Sequence, residues 1–584
     1  MKSIRLALRV LGPHFQRYRT GLLLGLGALL AKVLLAACVP LLIREGINAL
    51  TAGFHMRRLI EFCAYLVALS AIKGLFQYWM RVVIIGISRD IEYDLRNDLF
   101  SNLVTLSQDF YGRTRTGDIM ARASNDLNAV RMMLGPGVMY WSETVLTFLI
   151  SLVVMLAVDL KLTLLGLAPA PVISLAVVFF GRIIHERYGK IQQKFSDISS
   201  QVQENLSAVR VIRAFVQEEA ELRQFEEMNR DYVRQNIRLA RIQGLFMPLL
   251  QAMIGVTFLI VLWVGGMRLL EGRITLGDFV MFNTFMGMLI WPMIALGWVV
   301  NLMQRGSASL ARVAELLDAR PSLPEPDSPL VLRHGALRGE IELHHVTLNR
   351  EAGAALQDVN LRIEGGETVA IVGHVGCGKT TLVQLVARLI DPTDGAVRLD
   401  GVDLRFYSPR EIRRHVGFVP QETFLFSTTL RDNIAWGVPD ATDDRIQWAA
   451  RVAGLEPDIA QFPDGLDTLV GERGITLSGG QKQRAAIARA ILRDPRILIL
   501  DDALSSVDTD TEERILTELT LVMKGRTTIL ISHRVSTVRA AHRIVVLEKG
   551  RIVEQGAHAN LLLRGGYYAD LYQKQLLAEE LETL

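Results

Sequence analysis

The fold of this chain is indicated first by the run Gly373-His374-Val375-Gly376-Cys377-Gly378-Lys379-Thr380. This run follows an apolar, strand-like segment, Thr368 to Val372, and precedes a helix-like segment, Thr381 to Val386. Glycines let the backbone curl with its N–H groups facing inward, and the N-terminus of the following helix adds partial positive charge. The sequence therefore predicts a phosphate-binding loop between a strand and a helix of an α/β domain.

Several residues of this loop have predicted roles in binding a nucleotide. Lys379 is expected to reach the β- and γ-phosphates, and the Thr380 hydroxyl is expected to bind Mg²⁺. Cys377 has two interpretations: a thiol acidified by the nearby lysine and helix end, or a variable position whose side chain points away from nucleotide. We favour the second, because phosphate loops need nothing from that position. The predicted nucleotide-binding residues here are Gly373, His374, Val375, Gly376, Cys377, Gly378, Lys379, Thr380 and Thr381.

Four further motifs follow in order along the chain. They are the glutamine of VPQETFLF (Gln421), the run Leu477-Ser478-Gly479-Gly480-Gln481, the apolar segment Ile497 to Leu500 ending in Asp501-Asp502, and the histidine of TILISHR (His533). Together with the phosphate loop, these motifs resemble the nucleotide-binding domain of ATP-binding-cassette (ABC) transporters, from about Gly339 to the C-terminus. The resemblance implies ATP and Mg²⁺ as cofactors.

The resemblance also implies a role for each of these residues. Gln421 would contact Mg²⁺ or the attacking water, Asp501 would bind Mg²⁺ beside Thr380, and His533 would sense the γ-phosphate. The run Ser478 to Gln481 would open a helix whose hydroxyl, glycine N–H groups and dipole face the γ-phosphate bound by the opposite subunit. ATP would thereby join two cassettes.

The residue after the magnesium aspartate departs from the family pattern. The family has a catalytic glutamate there, whereas this chain has Asp502, whose carboxylate lies one methylene closer to its backbone. A general base must come within about 3 Å of the proton it takes, directly or through one water, so the shorter side chain is expected to slow hydrolysis. The alternative is that small backbone shifts let Asp502 act. The predicted catalytic residues are Asp502, His533 and Gln421.

A second departure concerns the contact with adenine. Families of this kind usually place an aromatic residue just after the first strand, here Glu340 to Val346, whereas this chain has Arg350. A guanidinium plane can also stack on a base. The alternative is that Arg350 is a solvated loop charge, and the sequence leaves both interpretations open.

These departures predict the composition of the assembly. If Asp502 disables this chain's own site, the intact run Ser478 to Gln481 can still complete the site of a partner that carries the glutamate. The chain resembles the degenerate-site half of a heterodimeric exporter. We therefore expect a second, non-identical half-transporter as its partner.

Composition indicates a membrane domain before the cassette. The 584 residues are 50% hydrophobic and 21% charged, with a mean hydropathy of +0.27, which is too apolar for two ordinary soluble domains. Six segments are long enough to cross a hydrocarbon core of about 30 Å. They lie near Gly21 to Ile43, Leu59 to Ile85, Met133 to Val158, Leu160 to Ile184, Met247 to Leu269 and Leu276 to Met303. We predict a multidomain chain, with a six-helix α-helical transmembrane domain followed by an α/β P-loop ABC ATPase domain.

The distribution of charge predicts the orientation in the membrane. The segment before the first span carries Lys2, Arg5, Arg9, Arg17 and Arg19 and no acidic residue. By the positive-inside rule this keeps the N-terminus in the cytoplasm, and an even number of spans leaves the ATPase domain there too. The expected location is the bacterial cytoplasmic (inner) membrane, with multiple passes.

The connections between spans indicate how the domains communicate. Gly86 to Arg131 and Arg187 to Gln243 are long and charged, so they are expected to extend membrane helices into the cytoplasm. Asp109 to Asp118 and Val211 to Phe215 resemble the two coupling helices of ABC exporters, and Gly471-Glu472-Arg473-Gly474 resembles their X-loop. The predicted domains are 1–317 for the membrane domain, 318–338 for a proline-containing linker and 339–584 for the nucleotide-binding domain.

The transported compound is the least defined part of the prediction. The last span is rich in methionine and aromatic residues, which suit either adaptable contacts with apolar substrates or packing against neighbouring helices. Glu143 lies within a span, where an ionisable residue usually faces a cavity or a partner. The chain resembles half of a bacterial multidrug-type exporter of hydrophobic or amphipathic small molecules. A lipid flippase with the same engine, and an ATP-binding regulatory or channel-like subunit, are the alternatives. Membrane lipid is a further expected partner, and the net charge of +3 argues against nucleic acid.

Overall fold

The structure is a computed structural model, and it describes residues 2–53, 55–332, 337–350, 353–471 and 477–583. The chain divides into two compact units, Met1–Val104 with Arg115–Ala319 and Thr105–Thr114 with Arg320–Leu584. The first unit is helical, and the second contains every strand that the structure describes. Residues 472–474 of the predicted X-loop lie outside the described part of the chain.

The first unit consists mainly of long helices. A capping box formed by Thr275 and Asp278 begins its last helix. Two π-helical turns, Arg122–Asp126 and Met133–Gly137, join three shorter helices into one continuous run. The helices up to the end of this unit are α1 (Lys2–Arg17), α2 (Arg19–Ala52), α3 (Met56–Thr105), α4 (Gln108–Arg113), α5 (Thr116–Ala121), α6 (Leu127–Met132), α7 (Val138–Val158), α8 (Leu160–Leu167), α9 (Ala170–Ser207), α10 (Val209–Ala214), α11 (Glu218–Leu270) and α12 (Leu276–Asp318).

Six helical runs among the described residues are long and apolar enough to cross a membrane, which confirms the predicted number of spans. Each is longer than the roughly 20 residues that a bilayer requires, so each has helical turns beyond the hydrocarbon layer. The runs are Arg19–Ala52, Met56–Thr105, Thr116–Val158, Leu160–Ser207, Glu218–Leu270 and Leu276–Asp318.

The last of these runs forms the centre of an apolar core. Met281, Phe282 and Phe285 are fully buried and pack with side chains of α7, α8 and α11. Trp291 and Trp298, further along α12, are exposed. The methionine and aromatic residues at the start of this span therefore serve packing, whereas the two tryptophans remain accessible.

Short helices occur where coupling helices were predicted. α4 covers Gln108–Arg113, which groups with the second unit, and α10 covers Val209–Ala214. The predicted segment Asp109 to Asp118 is divided, because α4 ends at Arg113 and α5 begins at Thr116. The force-transmitting role of both segments stays a prediction.

The second unit is an α/β domain with two sheets. Its strands are β1 (Ile341–Arg350), β2 (Gly353–Ile363), β3 (Thr368–Val372), β4 (Asp394–Leu399), β5 (Val402–Asp403), β6 (Val416–Val419), β7 (Ile497–Asp501), β8 (Thr527–Ile531), β9 (Arg543–Glu548) and β10 (Arg551–Gly556). Its further helices are α13 (Lys379–Val386), α14 (Pro409–Arg414), α15 (Leu430–Ala435), α16 (Asp443–Val452), α17 (Glu456–Ile459), α18 (Gly479–Leu492), α19 (Thr509–Met523), α20 (Val535–Arg539), α21 (His558–Arg564) and α22 (Tyr567–Thr583).

The larger sheet has the strand order β10-β9-β3-β8-β7-β6 and is parallel except for the edge pair of β10 and β9. The smaller sheet, β2-β1-β4-β5, is antiparallel. Alternate residues of β3 enter two apolar cores. Ala370 and Val372 pack with α16, α18 and α19, whereas Val369 and Ile371 pack with α13 and the smaller sheet. Burial on both faces explains why the central strands read as continuous apolar runs.

Candidate nucleotide-binding site

The predicted nucleotide-binding residues gather at one edge of the larger sheet. β3, β8 and β7 are parallel neighbours, so their carboxyl ends meet there. The phosphate loop follows β3, Asp501 ends β7, and His533 comes shortly after β8. The fold therefore brings most of the predicted site together in one open cleft. Its walls are formed by Arg350, Ala355, Val375, Gly376, Gly378, Lys379, Thr380, Thr381, Gln421, Asp501, Asp502, Ile531 and His533.

Two glycines of the phosphate loop are required by the close approach of other backbone segments. A Cβ at Gly373 would lie 2.2 Å from the carbonyl oxygen of Leu547, and a Cβ at Gly378 would lie 2.6 Å from that of Ala355. Gly378 also has a φ of 107°, which side chains disfavour. It is the N-cap of α13, so Lys379 begins the helix at the wall of the cleft.

The ammonium group of Lys379 is bonded within the loop. Its Nζ donates hydrogen bonds to the carbonyl oxygens of Gly373 at 2.8 Å and His374 at 2.9 Å, and the residue is only 8% exposed. A buried charge needs such partners. A phosphate oxygen that enters the cleft would meet a cation whose position is already set.

Thr380, Asp501 and Gln421, the predicted ligands of Mg²⁺, all line the cleft. Asp501 Oδ2 is buried with no hydrogen-bond partner in the described part of the chain. Burial raises the pKa of Asp501, and the charge of Asp502 raises it further. A cation would stabilise this carboxylate, and Mg²⁺ prefers carboxylate and hydroxyl oxygens. The residues present therefore fit Mg²⁺.

Asp502 occupies a left-handed backbone position directly after β7. Its φ is 50°, its N–H donates to the Ile531 carbonyl oxygen at 2.9 Å, and its own carbonyl oxygen accepts from Ser505 Oγ at 3.0 Å. Aspartate and asparagine adopt this conformation more readily than longer side chains do. Because the backbone is bonded on both sides, the reach of the carboxylate depends mainly on the length of the side chain.

His533 faces the same cleft as Gln421 and Asp502. Burial lowers the pKa of His533, and the charge of Lys379 lowers it further, while Asp502 opposes both effects. The first two effects favour the neutral imidazole, which carries one ring N–H and one acceptor nitrogen. A neutral donor at this place suits a phosphate oxygen.

Arg350 is the last residue of β1, which corrects the sequence prediction of a strand ending at Val346. β1 is longer because its end pairs with the start of β2, where Arg350 lies opposite Gly353. The guanidinium lines the cleft and donates to Gln384 Oε1 at 3.5 Å. A planar cation therefore stands at the wall of the cleft, where the resemblance placed an aromatic ring.

Three predicted loop residues, Gly373, His374 and Cys377, are not among those that form the cleft wall. Cys377 is only 6% exposed and packs in the apolar core beside β3 and α13. Burial raises the pKa of its thiol, although the charge of Lys379 opposes this. This is the opposite of an acidified thiol, and it agrees with a side chain that points away from nucleotide. The place of Cys377 in the nucleotide-binding loop stays a prediction.

The run Ser478 to Gln481 also lies outside this cleft. Ser478 and Gln481 form a capping box: the Gln481 N–H donates to Ser478 Oγ at 3.2 Å, and the Ser478 N–H donates to Gln481 Oε1 at 2.9 Å. Ser478 and Gly479 are exposed. The run thus presents the N-terminus of α18 at the surface, which suits an anion from outside this unit.

One contact with the phosphate loop had no signal in the sequence. Tyr567, the first residue of α22, lies edge-on to His374, with ring centroids 5.1 Å apart. The Tyr567 N–H donates to Glu554 Oε1 at 2.6 Å, and its hydroxyl is buried without a hydrogen-bond partner among the described residues. The C-terminal helix therefore supports the loop at a residue that does not line the cleft.

Comparison with known proteins agrees with this architecture. The model for the ABC transporter transmembrane region matches residues 22–293, and the model for the ABC transporter matches residues 356–505. The probable multidrug resistance ABC transporter ATP-binding/permease protein YheI of Bacillus subtilis (strain 168) is 38% identical over 98% of each chain. The chain belongs to the ABC transporter family.

Other relatives of this ABC transporter chain also match nearly end to end. The multidrug resistance-like ATP-binding protein MdlA of Escherichia coli (strain K12) is 36% identical over 96% of this chain and 95% of its own length. An ATP-dependent lipid A-core flippase of Syntrophus aciditrophicus (strain SB) is 33% identical over 98% and 95%. A solved structure of a bacterial Atm1-family ABC exporter with ATP bound has a TM-score of 0.78 and 27% identity, covering 97% of this chain and 99% of that chain.

These matches establish the general class of the chain. It is a multi-pass inner-membrane ABC exporter chain with the type IV fold, in which six apolar helices precede an α/β ATPase domain. The ATPase domain binds ATP and drives transport.

Proposed function

We propose that this chain is one half of a heterodimeric exporter whose own nucleotide site binds ATP but hydrolyses it slowly. The observation that carries this proposal is the presence of Asp502 at the position of the general base. The other proposed groups line the same cleft: Lys379 for the phosphates, Thr380, Asp501 and Gln421 for Mg²⁺, His533 for the γ-phosphate and Arg350 for the base.

The geometry of Asp502 supports slow hydrolysis. The missing methylene removes about 1.5 Å of reach. A shift of about 1 Å in a reacting group can cost about 100-fold in rate. The bonds from Asp502 to Ile531 and Ser505 oppose a backbone shift that would recover this reach.

The exposed N-terminus of α18 supports the role of the partner. With Ser478 and Gly479 at the surface, the run is available to a nucleotide bound by another subunit. The competent site would then combine this run with the phosphate loop and glutamate of a second, non-identical half-transporter.

We also propose the direction and class of transport. Relatives with names that refer to multidrug resistance support the movement of hydrophobic or amphipathic compounds out of the cytoplasm or the inner leaflet. The relative named as a lipid A-core flippase supports a second candidate, a lipid flippase with the same engine. Membrane lipid is a partner in either case.

The arrangement in the membrane belongs to the same proposal. The membrane domain comprises residues 1–317, the linker 318–338 and the nucleotide-binding domain 339–584. The basic N-terminal segment supports a cytoplasmic N-terminus, and six spans then leave the ATPase domain in the cytoplasm.

Pairing is tested by purifying the chain alone and together with half-transporters that carry glutamate at the position of Asp502. We expect the chain alone to release phosphate slowly and the correct pair to do so at least about tenfold faster. Replacing the glutamate of the added half by glutamine is expected to remove most of this activity. Rapid hydrolysis and uphill transport by the chain without a second half would refute the proposal.

Substrate class is tested with the active pair in lipid nanodiscs and proteoliposomes. Stimulation of ATP hydrolysis by amphipathic drugs supports the exporter, whereas stimulation only by defined lipids supports the flippase. Uphill movement of a fluorescent compound into inverted vesicles excludes a regulatory or channel-like subunit, which binds ATP without pumping.

A further inference from the structure

An ion pair lies inside the membrane-spanning part of the first unit. Lys32 of α2 donates through Nζ to Glu143 Oε1 of α7. Lys32 is the central residue of the apolar run Gly21 to Ile43, and Glu143 lies within the run Met133 to Val158. Ionisable side chains at such depth are costly and usually mark a cavity or a translocation pathway. An ion pair within the membrane spans therefore indicates a functional role.

The two charges differ in accessibility. The side chain of Lys32 is 10% exposed, whereas that of Glu143 is 27% exposed. Leu29 and Val33, which flank Lys32 in α2, belong to an apolar cluster with side chains of α3 and α7. A molecule that reaches the pair therefore meets the carboxylate before the ammonium.

The surroundings of Glu143 favour a cation. Tyr140 lies one helical turn before Glu143, so both project from the same face of α7. The Tyr140 ring packs edge-on against Trp298 of α12, with centroids 5.3 Å apart, and Trp298 is 47% exposed. Faces of aromatic rings attract cations, and tryptophan does so most strongly. Thr147 lies about one helical turn after Glu143 on the same side of α7.

We propose that Glu143, paired with Lys32 and flanked by Tyr140 and Trp298, binds the charged group of lipophilic cations within the membrane domain. Lys32 supplies the counter-charge that lets the carboxylate remain in the membrane when no ligand is bound. The rings of Tyr140 and Trp298 contact the apolar body of the ligand and attract its charge. This inference rests on the proposed export function, because it names a substrate class for that function.

The test compares two ions of the same shape and opposite charge, tetraphenylphosphonium and tetraphenylborate. Binding of each is measured at equilibrium on the reconstituted two-chain transporter in nanodiscs. The variants are Glu143→Gln, Lys32→Gln and the exchanged double variant Lys32→Glu with Glu143→Lys. The control is Arg44→Gln, which breaks the ion pair of α2 with Asp278 and leaves the Glu143 face unchanged.

The wild-type transporter is expected to bind the phosphonium more tightly than the borate. Glu143→Gln should weaken phosphonium binding at least about tenfold, as the loss of a charged contact predicts. It should not weaken borate binding, because it leaves the Lys32 ammonium without its counter-charge. The double variant should not recover phosphonium binding, because its carboxylate occupies the enclosed position 32. Arg44→Gln should behave as wild type.

A purely structural ion pair predicts the opposite pattern. Recovery of phosphonium binding in the double variant, equal binding of both ions by the wild type, or wild-type phosphonium binding by Glu143→Gln would each overturn the inference. The thermal unfolding midpoint identifies variants that fail to fold. If the double variant fails to fold, comparing phosphonium binding by Glu143→Gln and by Arg44→Gln still tests the inference. If no amphiphile of either charge, nor a neutral one, stimulates ATP hydrolysis by the wild type, the export function itself fails. If neutral amphiphiles stimulate while the phosphonium shows no dependence on Glu143, only this inference fails.

Discussion

Replacing Asp502 by glutamate is expected to speed up ATP hydrolysis at the nucleotide site that we propose to be slow. The added methylene extends the carboxylate by about 1.5 Å. Because a misplacement of about 1 Å can cost about 100-fold in rate, we expect Asp502→Glu to raise ATP turnover of the chain purified alone by about 10- to 100-fold. The phosphate loop, the predicted Mg²⁺ ligands and His533 already line the cleft and need no change.

The backbone conformation at Asp502 is expected to make the glutamate variant less stable than the wild type. Asp502 has a φ of 50°, a conformation that aspartate tolerates better than glutamate. We therefore expect Asp502→Glu to lower the free energy of unfolding by about 1 kcal/mol. Activity and stability should thus change in opposite directions.

The assay measures phosphate release by the chain alone in nanodiscs at saturating Mg²⁺ and ATP, with thermal unfolding of the same samples. Asp502→Asn is the matched control, because it keeps the short side chain and the left-handed preference but removes the base. Wild type should lie close to the asparagine variant and well below the glutamate variant. Equal turnover by wild type and the glutamate variant, well above the asparagine variant, would refute the argument from side-chain length.

Three other perturbations test parts of the same unit. Arg350→Ala should raise the Kd for a fluorescent ATP analogue about 3- to 10-fold, and Arg350→Tyr should restore the wild-type Kd. An unchanged Kd in Arg350→Ala would show that Arg350 does not contact the nucleotide. Tyr567→Ala, which loses the ring contact with His374, should weaken the same binding several-fold. Tyr567→Phe, which loses only a hydroxyl that has no partner among the described residues, should bind at least as well as wild type. Burial lowers the pKa of His558, with the charge of Arg539 adding to the effect, and His558 Nδ1 lies 2.8 Å from the Tyr568 hydroxyl. Because the pKa of His558 in the folded state is below its unfolded value of about 6.5, the neutral imidazole stabilises the folded state. This stabilisation is complete above about pH 6.5 and is lost as the pH falls through the folded pKa. The thermal midpoint should therefore fall less between pH 8 and pH 5 in His558→Gln than in wild type.

Local motifs allowed the nucleotide site to be predicted in outline. The phosphate loop is a contiguous run, so the strand before it and the helix after it could be read from neighbouring residues. Asp501 and His533 could be placed because each follows an apolar strand, and parallel strands end at the same sheet edge. The strand containing Arg350 was predicted too short, because its last residues are ordered by pairing with β2 rather than by their own pattern.

Contacts between distant residues could not be predicted. Lys32 and Glu143 are 111 positions apart in the sequence. The hydropathy pattern indicates that each lies in a membrane span, but it does not predict which faces of α2 and α7 pack together. Tyr567 reaches His374 only because the C-terminal helix folds back on the ATPase unit. The left-handed backbone conformation of Asp502 could not be predicted from neighbouring residues either, because it depends on the hydrogen bond to Ile531 in another strand.

In the proposed pairing of two cassettes, the mutual bonds of Ser478 and Gln481 bear on how quickly the cassettes can engage. Because they order the start of α18 within a single subunit, little conformational entropy remains to be lost when a neighbouring nucleotide docks against it. Such a pre-organised surface can associate and separate repeatedly without refolding at each cycle. More of the binding free energy of ATP is then available to reposition the membrane helices.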